Sequence, residues 1–294
     1  MSIMDVTIKL NKDLSENVRY TNEKYPIYIK RALLSAYPNF GAPSHWHNDI
    51  ELIYIIAGEM DYNINGKIIT LSQGDGIFVN AGQLHFGFSP TKTECDFICI
   101  LLSTNLICIG SEFEKDFILP VIGNSDLPYI HFRTVNKWQN DALNIIKKMY
   151  VCKGVCGEPL KIQRLFSELW ALIYENTESD GHCIDDSNIS ALKDMIGYVQ
   201  RHYAETLTLT QIAASGRVCV SKCCRLFKEY LKQTPNTYLI NYRLDKSVEL
   251  LENTDMNVTE IAYAAGFGGA SYFSETFRKW FGQSPTQYRN RFSR

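Results

Sequence analysis

The last hundred residues contain one sequence unit twice, and this repeat restricts the fold more than any other feature of the chain. An Ile-Ala pair begins each copy, at Ile212 and at Ile261. Self-similarity of this kind indicates one supersecondary unit used twice. Each copy predicts a short helix, a tight turn and a second helix. The matching positions lie 50 residues apart and are Phe227 with Phe277, Gln233 with Gln283, Pro235 with Pro285, and Tyr238 with Tyr288.

The second copy shows most clearly why the unit turns. Ala262 and Ala265 give its first helix a small-residue face that another helix can approach, and Gly266 supplies the left-handed conformation that ends the helix. Phe273 and Phe277 stand four residues apart, so they share one side of the second helix and face inward. The opposite side of that helix is therefore predicted to be exposed.

The exposed positions near the start of each second helix are candidates for contact with DNA. A helix-turn-helix presents such positions to base edges in the major groove. A merely solvated surface is the alternative, but two copies in one basic segment favour DNA. Arg225 is the best suited to hold a guanine through its O6 and N7 atoms. The predicted DNA-binding residues are Ser221, Lys222, Cys224 and Arg225 in the first copy and Ala270, Ser271, Ser274 and Glu275 in the second.

Charge is distributed unevenly along the chain, although the net charge is only −2. Residues 190–294 hold 14 basic and 9 acidic side chains, whereas residues 1–189 hold 16 basic and 23 acidic ones. A basic carboxyl-terminal part favours a polyanionic partner. Between the two copies, a helix of roughly 17 residues would span about 25 Å, enough to place two reading helices about one DNA turn apart.

Residues 190–294 resemble the DNA-binding domain of AraC-type transcription regulators. The run IAYAAGFGGASYFSETFRKWFGQSPTQYR, from Ile261 to Arg289, follows the pattern of that family, with Arg278 where the family has lysine. The resemblance implies two helix-turn-helix motifs joined by one helix. It also implies binding to double-stranded promoter DNA, contact with RNA polymerase, and activation more often than repression.

The first copy departs from the family at turn and cap positions. Arg217 and Lys232 stand where the family usually has glycine, and Cys219 stands where a serine usually caps the second helix. We expect a weaker cap at Cys219, because serine is among the residues preferred at this position. Glu275 occupies a reading position that is often basic in the family, and its carboxylate can accept a hydrogen bond from cytosine N4.

Residues 1–135 are predicted to form a β-rich sensing domain, because β-branched and aromatic runs alternate with Gly, Asn and Asp. In the stretch HWHNDIELIYIIAG, two histidines and a glutamate share one face of an extended strand. This stretch and a later one resemble the two motifs of cupins, which implies a cupin-like β-barrel. The matching positions are His45, His47, Glu51 and Gly58, then Gly74, Gly82 and His85.

Three histidines and a glutamate permit several kinds of site. We expect His45, His47, Glu51 and His85 to bind a small-molecule effector, and family analogy makes a sugar or sugar derivative the first guess. The same four residues are possible ligands of a divalent metal, since imidazole and carboxylate suit such ions. A cluster of ordinary buried polar residues is a third interpretation. No residue is predicted to be catalytic, and no cofactor is predicted to be required.

Two alternatives to an effector-responsive regulator follow from the same residues. The first is a metal-dependent cupin enzyme that carries a DNA-binding tail. The second is a regulator that works without any ligand.

Residues 136–176 change to a helical period and are predicted to be a helical dimerisation segment. Their apolar stripe must be covered, either by its own domain or by the same helix of a second copy in a homodimer. Residues 177–189 are polar and turn-rich and are the predicted linker to the DNA-binding domain. The stripe consists of Ile162, Leu165, Phe166, Leu169, Trp170 and Ile173.

The predicted fold class is α+β multidomain. It combines an amino-terminal cupin-like β-barrel and helical dimerisation segment with a carboxyl-terminal all-α domain containing two helix-turn-helix motifs. The beginning of the chain lacks the basic and apolar run of a secretory signal, and no apolar stretch approaches the ~20 residues of a membrane helix. We therefore expect a cytoplasmic protein. Nine cysteines at irregular spacings favour free thiols over a disulfide framework.

Overall fold

The computed structural model describes residues 8, 15–16, 18–21, 24–177 and 187–290. These residues form two compact units, one up to residue 177 and the other from residue 187 onward. Residues 178–186 of the predicted linker lie outside the described residues, and residues 187–189 begin a helix. No helix in the described ranges is both long enough and apolar enough to cross a membrane.

Antiparallel strands form the frame of the amino-terminal unit. Their order is β1-β6-β2-β4-β7, and β3 and β5 pair with the second half of β2. The 15-residue β2 therefore belongs to two sheets. The strands are β1 (Ile27–Leu33), β2 (Ile50–Ile64), β3 (Lys67–Ser72), β4 (Gly76–Val79), β5 (His85–Phe88), β6 (Cys95–Leu102) and β7 (Tyr129–Phe132).

Strand β2 changes its partners at a bulge. Its register against β6 shifts between Ile55 and Ala57, and Gly58 follows with a φ of 80°. A side chain at Gly58 would collide with the carbonyl oxygen of Glu94, so only glycine fits this bend. The bulge also reverses which side of the strand the odd-numbered residues face. Ile55 before the bulge and Tyr62 after it consequently pack in one cluster.

Two long helices cover one face of the sheet. Helices α3 and α4 share a core with apolar residues of β1, β2, β4 and β6. A π-helical turn, Glu114–Ile118, joins the two short helices that precede β7. The helices of this unit are α1 (Ser111–Phe113), α2 (Leu119–Ile122), α3 (Lys137–Val151) and α4 (Glu158–Asn176).

The apolar stripe of α4 is buried inside its own unit, which is the first of the two covers that the sequence allows, so the stripe itself is not an exposed seam. That residues 136–176 serve as a dimerisation segment stays a prediction. Leu169 is 0% exposed and packs in the same cluster as Leu52 and Phe78 of the sheet. The indole N–H of Trp170 donates to the carbonyl oxygen of Phe117 at 2.9 Å. The sheet face needs an apolar cover, and this stripe supplies it. A homodimer, which stays a prediction, would require another surface.

All regular secondary structure in the described residues of the carboxyl-terminal unit is helical, and the predicted pair of helix-turn-helix motifs is confirmed. The first motif is α6 with α7, the second is α9 with α10, and α8 connects them. With 19 residues, α8 is slightly longer than predicted and spans about 28 Å. The helices are α5 (Ser187–His202), α6 (Leu209–Ser215), α7 (Val220–Leu231), α8 (Pro235–Asn253), α9 (Val258–Ala264), α10 (Ala270–Phe281) and α11 (Pro285–Arg289).

The repeated residues make the same contact in both copies. The rings of Phe227 and Tyr238 lie 5.7 Å apart, and those of Phe277 and Tyr288 lie 5.6 Å apart. In each copy the phenylalanine comes from the second helix of the motif and the tyrosine from the helix that follows it. The offset of 50 residues therefore reflects a repeated contact, in which the second helix of each motif packs against the helix that follows it.

The first helix of each motif begins with a side-chain cap, whereas within the described residues neither second helix does, since Cys219 precedes α7 and Gly269 precedes α10. Thr208, Asn257 and Ser284 cap α6, α9 and α11 in capping boxes. Cys219 precedes α7, and within the described part of the chain its side chain accepts no hydrogen bond from the helix amides. This agrees with the weaker cap expected at Cys219, because a thiol accepts a hydrogen bond from the helix amides less well than the hydroxyl of Ser or Thr.

Arg217 and Lys232 take left-handed backbone conformations that favour glycine, with φ values of 54° and 55°. At the matching end of the second motif, Gly282 has a φ of 74°. Left-handed backbone costs a residue with a Cβ roughly 1–2 kcal/mol. Arg217 and Lys232 thus adopt, with backbone strain, the turn conformation for which the family usually has glycine.

Replacing Lys232 with glycine should stabilise the carboxyl-terminal unit by about 0.5–1 kcal/mol. Relief of the left-handed strain exceeds the extra entropy that glycine gives the unfolded chain. Chemical denaturation of the full chain, followed through the transition of this unit, measures the change. The mirror substitution Gly282→Lys should lower the free energy of unfolding by a similar amount. No gain for Lys232→Gly would show that the turn carries no strain.

Candidate functional site

Four buried residues from three chain segments meet at one end of the strands. His45 and His47 lie in the loop before β2, Glu51 is the second residue of β2, and His85 is the first residue of β5. All four are at most 5% exposed. One ligand atom from each lies within 4.8 Å of the others. The predicted effector-site residues are therefore brought together.

Backbone carbonyl groups fix the orientation of all three imidazole rings. A carbonyl oxygen only accepts hydrogen bonds, so each Nδ1 carries its hydrogen and each Nε2 faces the centre of the cluster. Anchoring of this kind is typical of histidines that bind metals. The acceptors are Pro43 for His45, Asp49 for His47 and Gln83 for His85, each at 2.9 Å.

The carboxylate of Glu51 is the common partner of this cluster. Its Oε2 lies 3.1 Å from the Nε2 of His47 and 3.0 Å from the Nε2 of His85. The hydroxyl of Tyr62 donates to the other oxygen of Glu51. Burial alone would raise the pKa of Glu51, but His85 and His47 together hold it well below its ordinary value. Glu51 is therefore a buried anion.

His45 differs from His47 in its protonation. Burial, followed by the nearby His85, lowers the pKa of His45 to about 3. Burial also opposes protonation of His47, but the hydrogen bond and charge of Glu51 outweigh it and raise the pKa of His47 above its ordinary value. At neutral pH the Nε2 of His45 therefore presents a lone pair, which makes it a hydrogen-bond acceptor or a metal ligand.

The donor set fits a divalent transition metal. Three imidazole nitrogens and one carboxylate suit Zn, Ni, Mn or Fe. Ligand atoms about 2.1 Å from one ion stand roughly 3 Å apart at right angles and at most about 4.2 Å apart. The contacts of Glu51 with His47 and His85 match the smaller separation, and the 4.8 Å spread needs only a contraction of the cluster.

A cavity of about 50 Å³ adjoins the cluster inside the unit. Its walls combine apolar side chains with the polar groups of Tyr28, Lys30, His45 and Glu51. Since a buried water needs roughly 10–15 Å³, this volume suits an ion or a few waters. A larger effector would have to displace lining side chains.

Two residues near the cluster escaped prediction from the sequence. Tyr62 has the opposite parity to Glu51, which would place it on the other face of a regular strand, but the bulge in β2 puts it on the same side. Glu16 lies 3.7 Å from the Nε2 of His45, and burial raises its pKa to about 7. No motif marks Glu16, because it reaches the cluster through a single bridge between Ser15 and Trp46.

The predicted DNA-binding residues all lie at least partly exposed on α7 and α10, whereas Cys223, Phe227 and Phe277 are buried. Arg225 is among the exposed ones, with open access for a base edge. Glu275 forms an ion pair with Lys279 at 2.9 Å, one turn further along α10. The negative charge at this reading position is thus partly offset by a neighbouring lysine.

The chain is similar to several transcription regulators over nearly its whole length. Residues 212–291 match a helix-turn-helix domain and residues 33–101 match a cupin domain. The HTH-type transcriptional regulator YdeC of Bacillus subtilis (strain 168) is 27% identical over 283 residues, which are 95% of this chain and 97% of that protein.

Two further relatives carry names that describe a regulatory role. The melibiose operon regulatory protein of Escherichia coli (strain K12) is 25% identical over 272 residues, 90% of this chain and 89% of that protein. The HTH-type transcriptional activator RhaS of Salmonella schwarzengrund (strain CVM19633) is 26% identical over 277 residues, 92% of this chain and 94% of that protein.

A sheet unit with a buried polar site and a helical unit with two helix-turn-helix motifs define a transcription regulator with sensing and DNA-binding parts in one chain. The two domains that the chain matches, and the relatives that it resembles over nearly its whole length, are those of AraC-type transcription regulators. It is a sequence-specific DNA-binding protein, and the proteins it resembles are regulators rather than enzymes.

Arg225→Ala should weaken binding to a specific DNA site by about 1–3 kcal/mol while leaving binding to unrelated DNA nearly unchanged. The reason is that a base-reading arginine contributes to discrimination more than to general attraction. Fluorescence anisotropy with a genomic fragment selected by the protein measures both affinities. Lys228→Ala, on the same helix, removes the same charge. It should change the affinities for the specific and the unrelated DNA by equal amounts. Equal losses on both DNAs for Arg225→Ala would contradict base reading.

Proposed function

We propose that this chain is an effector-responsive transcription activator that binds a small molecule in its amino-terminal unit and promoter DNA with α7 and α10. The pair of helix-turn-helix motifs with exposed reading faces is the observation that carries the proposal. Helix α8 is long enough to place the reading helices in successive major grooves. A homodimer in the cytoplasm that contacts RNA polymerase completes the proposal.

The effector site consists of the cavity and the polar cluster beside it. Tyr28, Lys30 and Glu51 offer hydrogen-bonding groups to a hydroxyl-rich molecule within apolar walls. The similarity to the melibiose operon regulatory protein makes sugars and sugar derivatives the first class to test. The cavity would have to widen for such a ligand, so effector binding and a change of shape in this unit are expected to go together.

Regulation then depends on differential binding. An effector changes DNA affinity only by the ratio of its affinities for the two states of the protein. The factor is reciprocal, so promoter DNA should change effector affinity by the same amount.

Thermal unfolding of the full chain with a panel of sugars and sugar derivatives should identify a compound that stabilises the amino-terminal unit. At 100 times its dissociation constant, an effector adds about 2.7 kcal/mol to the free energy of unfolding. The same compound should shift promoter affinity in anisotropy measurements. Arg225→Ala is the matched control, because it should keep the thermal shift while binding the specific DNA site more weakly. A panel that moves neither quantity would favour a regulator that works without these ligands.

A second candidate function, metal binding at the same cluster, is favoured by the inward Nε2 atoms of the three histidines. We propose that His45, His47, Glu51 and His85 hold a divalent transition metal. Such an ion would supply a Lewis-acid centre to which an oxygen of the effector can bind. The protein's part is to orient the ligands and to keep the site dry.

Metal analysis of the purified protein should find about one divalent ion per chain, lost in His47→Ala because one of four anchored ligands is removed. His131→Ala is the control, since His131 pairs with Asp75 at 3.2 Å outside the cluster. Mass spectrometry of protein treated with buffer free of chelator gives the stoichiometry. An ion retained by His47→Ala, or absent from the unaltered chain after incubation with Zn²⁺, Ni²⁺, Mn²⁺ and Fe²⁺, would refute the metal site.

A further inference from the structure

Glu16 brings a second carboxylate to the polar cluster from outside the cupin motifs. Its Oε2 lies 3.7 Å from the Nε2 of His45, and its side chain is only 14% exposed. It lines the same cavity as His45 and Glu51. The chain thus places a second acidic group beside His45, the histidine of the cluster that, within the described residues, has no hydrogen bond to Glu51.

Two hydrogen bonds hold the segment around Glu16 beside the cluster. The backbone amide of Glu16 donates to the carbonyl oxygen of Trp46 at 2.8 Å. The hydroxyl of Tyr20 donates to Asp49 at 2.9 Å. Asp49 is also the residue whose carbonyl oxygen anchors the ring of His47. The position of Glu16 is therefore fixed by the same loop that orients the histidines.

The Oε2 of Glu16 and the Nε2 of His45 face each other without a hydrogen bond between them. The Nδ1 of His45 donates to Pro43, so the neutral ring presents a lone pair at Nε2 toward an oxygen that also carries lone pairs. Their separation of 3.7 Å is too long for a hydrogen bond. Two ligand atoms at that separation, each about 2.1 Å from one ion, would subtend an angle of roughly 120° at it. One cation can therefore bind both.

Charge balance supports the same arrangement. Three neutral imidazoles and the Glu51 carboxylate would leave a buried divalent ion with one uncompensated positive charge. A second carboxylate makes the site neutral, which lowers the cost of holding the ion away from water. Glu16 is the carboxylate that the structure places next to His45.

We propose that Glu16 is a fifth ligand of the metal held by His45, His47, Glu51 and His85. This inference rests on the metal site put forward under Proposed function. It assigns a binding role to a residue that precedes the first strand and belongs to neither cupin motif. It also links occupation of the site to the position of the chain segment that carries Glu16.

Titration of the full chain with Co²⁺, followed by visible absorption, tests this role. Glu16→Gln should weaken Co²⁺ binding at least ~10-fold and change the absorption bands, because the number or type of ligands changes. Glu16→Ala should do the same, and Glu16→Asp, which keeps the charge, should recover part of the affinity. Glu112→Gln is the matched control, since Glu112 is exposed on α1; its affinity and spectrum should equal those of the unaltered chain.

The possible failures separate the two proposals. If Glu16→Gln and Glu16→Ala bind Co²⁺ with unchanged affinity and spectrum, the fifth ligand is refuted while the four-residue site stands. If the unaltered chain binds no Co²⁺, the metal site and the role of Glu16 are both refuted. Circular dichroism of each variant verifies that the fold is kept.

Discussion

The buried carboxylate of Glu51 is the group around which the amino-terminal unit is organised. An uncompensated charge at 3% exposure would cost several kcal/mol. Its compensation comes from His47 in the loop before β2, from Tyr62 beyond the bulge and from His85 at the start of β5. These three groups belong to separate segments, so their contacts with the Glu51 carboxylate connect the loop before β2 to both halves of β2 and to β5. The polar cluster is thus part of the structural frame as well as a candidate site.

The backbone carbonyls that anchor the three Nδ1 atoms decide what this cluster can bind. With Nε2 turned inward, a neutral ring offers a lone pair and a protonated ring offers a hydrogen-bond donor. The same geometry can therefore hold a cation or a ligand with acidic or hydroxyl oxygens. Protons and metal ions compete for these atoms. His45, with its low pKa, is already in the metal-binding form throughout the neutral range.

The sequence predicts regular features well and irregular ones poorly. The offset between Phe227 and Phe277 follows from a repeated contact, so it reveals both reading helices. Parity places His47 and Glu51 together, but fails for Tyr62 because one inserted residue at the bulge reverses it. The apolar stripe around Leu169 could be covered by its own domain or by a second copy of the chain, and the sequence pattern is the same in both cases. The tertiary structure shows that the sheet covers it. Glu16 depends on a long-range bridge that no local pattern encodes.

The two helix-turn-helix motifs are similar in packing and unequal in chemistry. The first has a cysteine in place of a capping residue and strained turns at Arg217 and Lys232, and its predicted reading residues include the basic Lys222 and Arg225. The second has glycine at its turn, and its reading face consists of small residues beside Glu275. Long basic side chains supply attraction to phosphate and guanine, whereas small side chains allow close approach to the groove. The first motif should therefore contribute more of the electrostatic affinity, and the second should discriminate mainly through shape and fit.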